Sequence, residues 1–131
     1  MVSDPSHIGS VAIRDYCGKP LEALPWSPLL NFCPDAIERV PLSLLGVFLI
    51  RYRDNPAEFK PACALYVGRA ERCLRQSLHC QYQGDGNEAL VNFVRANPLG
   101  IFFQYLCCLD YRFAEAHLLV ALDYPLCNIS T

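Results

Sequence analysis

Three apolar runs of strand length dominate the chain: residues 46–53 (GVFLIRYR), 60–68 (KPACALYVG) and 101–109 (IFFQYLCCL). The first is rich in β-branched and aromatic side chains and ends in the turn signal RDNP, and the second follows after a loop containing Asn55-Pro56. Together they predict an antiparallel hairpin. The third run is bounded by turn residues and reads as a central strand buried on both faces.

Helical patterns occupy the intervals. Leu74 and Leu78, four apart, give residues 71–83 one core side, while Arg72, Arg75 and His79 share another face. The run QGDG (83–86) then breaks the chain, and Asn87 can cap a second helix with Ala89, Leu90, Phe93 and Val94 as its apolar stripe. A last helix spans about 111–122 and is closed by Pro125. An earlier one lies within 28–40, capped by Ser27 or Asp35 and stopped by Pro41. The order predicts a small α/β domain in which helices flank a central sheet of about three strands, the hairpin plus one more.

With 131 residues, 53% hydrophobic and 18% charged, the chain has enough apolar material for one folded domain. Residues 1–36 read as an N-terminal arm, packed through Trp26, plus part of the first helix; residues 37–131 form the domain. The longest nearly apolar run, 40–50 (VPLSLLGVFLI), is about half of what a bilayer requires and is broken by Pro41, Ser43 and Gly46. No membrane association is expected. MVSDPSHIGS lacks the basic and apolar regions of a signal peptide, so a cytoplasmic location and reduced thiols are expected for the eight cysteines. These pack as small apolar side chains. A zinc set drawn from Cys73, His79, Cys80, Cys107, Cys108 and His117 is the weaker alternative, because no CxxC or HxxxH pair is present.

The formal net charge of −2 has the wrong sign for gripping nucleic acid by bulk electrostatics. Between Gly46 and Arg75, however, Arg51, Arg53, Lys60, Arg69, Arg72 and Arg75 outnumber Asp54, Glu58 and Glu71. Basic character is therefore local. Within and beyond that stretch stand Tyr66 at a strand end, Arg75 and His79 on one helical face, and Glu115 in the last helix. A hydroxyl or imidazole that handles a proton, an arginine that neutralises phosphate and a carboxylate that holds Mg²⁺ are the groups needed to cut a phosphodiester. Each also has a plain structural reading: a packed strand aromatic, a solvated helix face, a surface glutamate paired with Arg112.

Taken in order, these elements resemble the GIY-YIG nuclease family. Gly46-Val47-Phe48 matches the first tripeptide and Tyr66-Val67-Gly68 the second; Arg75 and His79 follow on the next helix. Glu115-Ala-His-Leu-Leu with Pro125-Leu-Cys-Asn128 is similar to the closing pattern, and Ile37-Glu-Arg-Val-Pro41 to the lead-in. The resemblance covers about residues 37–129. It implies a GIY-YIG-like domain acting as a metal-dependent DNA endonuclease, with Glu115 as the one protein ligand of Mg²⁺ (or Mn²⁺). Tyr66 or His79 would handle the attacking water, and Arg75 the phosphate. Gly46, Phe48, Gly68 and Asn128 would support the site. Phe48 stands where the first motif usually carries tyrosine, and the loop between the tripeptides is longer than usual. Arg75 and His79 align only with one residue deleted after Gly68-Arg-Ala, which leaves Arg69 or Arg72 as alternative phosphate-binding arginines. The alternative implied function is a non-catalytic module of the same fold that binds nucleic acid or protein. In either case a homodimer or partner protein could supply specificity.

Overall fold

The computed structural model describes residues 20, 23–53 and 63–129. Their elements are β1 (Leu30–Asn31), α1 (Pro34–Ile37), β2 (Gly46–Tyr52), β3 (Cys63–Ala70), α2 (Leu74–Gln83), α3 (Glu88–Ala96), β4 (Ile101–Cys107), α4 (Tyr111–Ala121) and α5 (Leu126–Ile129). The strands form one sheet in the order β1-β4-β2-β3, antiparallel throughout.

The α/β class and the hairpin follow the sequence, but the sheet has four strands rather than about three. The added strand, β1, has two residues, Leu30 opposite Phe103 and Asn31 opposite Phe102. So short a piece carries no periodicity. It is extended by Ser27, whose N–H donates to the Tyr105 carbonyl while its Oγ accepts from the Tyr105 N–H, both at 2.9 Å. Ser27 is thus an edge-strand partner and not a helix cap. The first helix shrinks to the single turn α1, entered from Cys33 with Pro34 in its first turn. Of the expected arm, residues 1–19, 21 and 22 lie outside the described residues, as do 54–62 with the Asn55-Pro56 turn. Leu24 and Phe32 are buried in the same cores as the rest of the domain.

Alternation along β2 divides the interior. Phe48 and Ile50 point to one core with Leu74 and Leu78 of α2, Leu90 of α3 and Cys127 of α5. Val47 and Leu49 point to the other, covered by Ala114 and Leu118 of α4 and by Leu24. Helices therefore lie on both faces of the sheet. Each fully buried leucine contributes about 2 kcal/mol by removal from water.

Two glycines are fixed by this packing. Gly46 has φ +155°, and a Cβ there would run into the Leu106 carbonyl oxygen of the neighbouring strand. At Gly68 a Cβ would strike the Phe48 ring, which lies across it from the paired position on β2. Gly68 thereby seats the two tripeptides against each other, while Gly46 lets β2 approach β4 closely. Among the described residues no helix is long and apolar enough to cross a membrane.

Candidate functional site

At the outer edge of the sheet, β3 turns toward α2 and opens a cleft of about 430 Å³. Tyr66 and Phe48 form its floor, with ring centroids 6.1 Å apart. Arg69, Glu71, Arg72 and Cys73 line one side, and Gln76, Ser77, Cys80 and Gln81 of α2 another. The α2–α3 turn closes it with Asp85 and Gly86.

Tyr66 and Arg69 leave β3 on opposite faces, because Tyr66 pairs with Ile50 and Arg69 with Val47. Arg69 consequently reaches α4, where its Nη1 donates to Glu115 Oε1 at 3.0 Å, while its Nε lies 3.1 Å from Glu71 Oε1. Arg112 also approaches Glu71, at 3.6 Å. Burial, and then the negative charge of Glu115, push the Tyr66 hydroxyl above the usual tyrosine value of 10.0. At neutral pH it is a hydrogen-bond donor, not a base. Tyr66, Arg69 and Arg72 thus all line the cleft, and Glu115 is tied to it through Arg69. Arg72 is exposed and makes no ion pair among the described residues.

Arg75 and His79 go elsewhere. Arg75 Nε donates to the Val40 carbonyl at 2.6 Å and its Nη1 lies 3.7 Å from Glu38 Oε1; His79 Nε2 meets Glu38 Oε2 at 2.5 Å. The pair clamps α2 to the chain just after α1, on the flank of α2 away from the cleft. The cleft-facing flank is neutral: Gln76, Ser77, Cys80 and Gln81. Of these, Gln76, Ser77 and Gln81 are site residues that pattern reading missed, and Cys80 entered it only as a zinc candidate. Their signal was present in the helical period, since residues 73, 77 and 81 flank the buried Leu74 and Leu78 on the side opposite 75 and 79.

Asn128 braces the site from outside. Its Oδ1 accepts from the Val67 N–H at 2.9 Å and its Nδ2 donates to the Val67 carbonyl at 3.0 Å, which satisfies the free edge of β3 between Tyr66 and Gly68.

The donor set at Glu115 was expected to hold a divalent cation. As placed, its Oε1 meets the Arg69 guanidinium, which lowers the charge it offers a cation, and no group of three His, Cys, Asp or Glu side chains gathers among the described residues. The residues of the zinc alternative are dispersed: His117 stacks on Phe113, His79 Nε2 pairs with Glu38, and Cys107 and Cys108 are buried.

Thiols differ sharply in this setting. Burial raises Cys73, but the backbone N–H groups of Gln76, Ser43 and Arg75 and the Arg75 charge outweigh it and leave the thiol below its usual 9.0. Burial pushes Cys107 and Cys127 up. With a limiting amount of iodoacetamide at pH 7.5, Cys73 is expected to be alkylated well before these two, as peptide mass mapping would read. Equal labelling of the three would contradict this electrostatic picture.

Compared with protein-family models, curated proteins and solved structures, the chain matches none.

Proposed function

We propose that this chain is a GIY-YIG-type domain that binds nucleic acid by seating a backbone phosphate in the cleft between the end of β3 and α2. The observation that carries the reading is Arg72, an exposed arginine without an ion pair among the described residues, lining the same cleft as the protonated Tyr66 hydroxyl. A guanidinium and neutral donors are suited to phosphate oxygens. The order of the sequence matches, from Gly46-Val47-Phe48 through Asn128, supports the GIY-YIG part of the reading. Glu71 and Asp85 on the cleft rim offset part of the positive charge, so the interaction is modest and takes few phosphates.

Titrating a fluorescent single-stranded or duplex DNA at several salt concentrations tests this. Binding is expected to weaken with salt with a log–log slope of about −1, as for one phosphate contact, and Arg72→Ala is expected to bind about tenfold more weakly. Salt-independent binding, or full affinity in Arg72→Ala, would sink the proposal.

A second reading, a metal-dependent endonuclease, is favoured by the Glu115 carboxylate, tied by its ion pair with Arg69 to the cleft that Tyr66 lines. Supercoiled plasmid incubated with the protein and Mg²⁺ or Mn²⁺ separates the two. The binding reading expects no nicking above background; nicking that disappears in both Glu115→Ala and Tyr66→Phe would establish the endonuclease instead.

A further inference from the structure

Strand β4 reads in sequence as buried on both faces, and Phe102 breaks that pattern: it is half-buried and belongs to neither hydrophobic core. Phe102 pairs with Arg51 of β2 on one side and with Asn31 of β1 on the other, so the three side chains form one row on one face of the sheet. By alternation along β2 this is the face on which Val47 and Leu49 meet α4, and the row continues it past Leu49. The cleft floor, Phe48 and Tyr66, lies on the opposite face.

Arg53 carries the ladder one step beyond β2, its N–H donating to the Gly100 carbonyl at 2.9 Å. Its guanidinium lies over the Phe102 ring, 5.6 Å from the centroid, and its Nε is buried without a hydrogen-bond partner among the described residues. Such a donor is unfavourable until something supplies an acceptor. The neighbouring strands are braced: Arg51 Nε donates to Gln104 Oε1 at 2.8 Å, and Gln104 Nε2 donates to the Ser27 carbonyl at 3.2 Å. Asn31 is exposed at the end of the row. Among the described residues the row carries two guanidiniums and no carboxylate, which complements an anionic strand.

From this arrangement we infer that the row of Asn31, Phe102 and Arg53 is a second nucleic-acid contact, one that takes a single unpaired base. The base stacks on the Phe102–Arg53 pair, its carbonyl oxygens accept from the guanidinium that lacks an acceptor, and its polar edge meets the Asn31 amide. An acidic peptide would satisfy the charge but leave the ring unused. The inference rests on the reading of this chain as a nucleic-acid binder, yet the row shares no residue with the cleft.

Two labelled probes separate the contacts: a fluorescein-tagged oligothymidylate, and a strand of equal length built of abasic sites, which keeps the phosphates and lacks the bases. Fluorescence anisotropy is read for wild type, Phe102→Leu, Phe102→Tyr, Arg53→Gln and Arg72→Ala, with urea melts to identify any variant that fails to fold. Wild type is expected to bind the thymidylate about tenfold more tightly than the abasic strand. Phe102→Leu should lose that preference with an unchanged salt slope, whereas Phe102→Tyr, which keeps a ring, should retain it. Arg53→Gln should weaken thymidylate binding about three- to tenfold. Arg72→Ala should weaken both probes alike and leave their ratio intact. Equal binding of the two probes by wild type, or an unchanged preference in folded Phe102→Leu and Arg53→Gln, would overturn the base site even where Arg72→Ala shows the cleft to be occupied. A preference lost in Phe102→Leu, with Arg72→Ala binding as wild type does, would uphold the base site and remove the cleft reading. Displacement of the thymidylate by polyglutamate as readily as by its own unlabelled strand would overturn the inference and assign the row to an acidic protein.

Discussion

Replacing Asn128 with alanine is expected to lower stability by about 2–3 kcal/mol, the largest single-residue effect outside the glycines and the apolar core. Asn128 makes two hydrogen bonds to one residue, to the Val67 N–H and the Val67 carbonyl, and the Val67 side chain is fully buried. Truncation leaves a donor and an acceptor unmatched on the outer edge of β3, each costing about 1–3 kcal/mol where water does not replace the partner. Asn128→Asp is the sharper control, because it keeps the acceptor for the N–H but turns an oxygen toward the carbonyl. Urea denaturation at pH 7 should show losses in both variants, with aspartate at least as damaging as alanine. A loss below ~0.5 kcal/mol in Asn128→Ala would mean that α5 does not hold the strand bearing Tyr66.

The second large effect is lability in alkali. Cys108 is fully buried, and burial, Asp110 and Cys107 push its thiol up to about 12 from 9.0. Its folded value lies above its unfolded one, so its contribution is intact below pH 9 and is lost as pH rises toward 12, where only the unfolded chain ionises readily. Across that window the loss amounts to about 4 kcal/mol, of which about 2 kcal/mol would appear by pH 10.5. Tyr66, Cys107 and Cys127 are raised as well and act in the same direction. Urea melts at pH 7.5, 9 and 10.5 should show stability falling steeply only between the last two. Cys108→Ala should be less stable than wild type at pH 7.5 but should lose less on going to 10.5. A parallel decline in the two proteins would show that Cys108 is not the group responsible.

Much of the fold was legible because its signals are local. The hairpin, the buried third strand and the cap at Asn87 are written in runs, turns and a capping residue. The two-residue β1 was not legible, since it exists only through partners 71 and 73 residues away on β4. The site was half legible for a related reason. Tyr66, Arg69 and Glu115 could be placed from strand alternation and order along the chain. Helix α2, however, presents two polar flanks beside Leu74 and Leu78, and sequence spacing alone does not say which looks into the cleft. The chain after α1 takes one of them, binding Arg75 and His79 through Glu38 and Val40, and leaves Gln76, Ser77, Cys80 and Gln81 for the other. Residues 75 and 79 were therefore the natural choice by spacing and charge, and the tertiary placement of Glu38 turned them away.

The deciding question is which arginine meets the phosphate, and a side-by-side titration of one labelled DNA with wild type, Arg72→Gln and Arg75→Gln answers it. Both substitutions remove one charge, so bulk electrostatics cancel in the comparison, and a urea melt of each variant accounts for any loss of fold. The cleft account predicts about tenfold weaker binding for Arg72→Gln and affinity within about twofold of wild type for Arg75→Gln. Weakened binding in folded Arg75→Gln with Arg72→Gln unchanged would contradict it, and would move the phosphate to the opposite flank of α2.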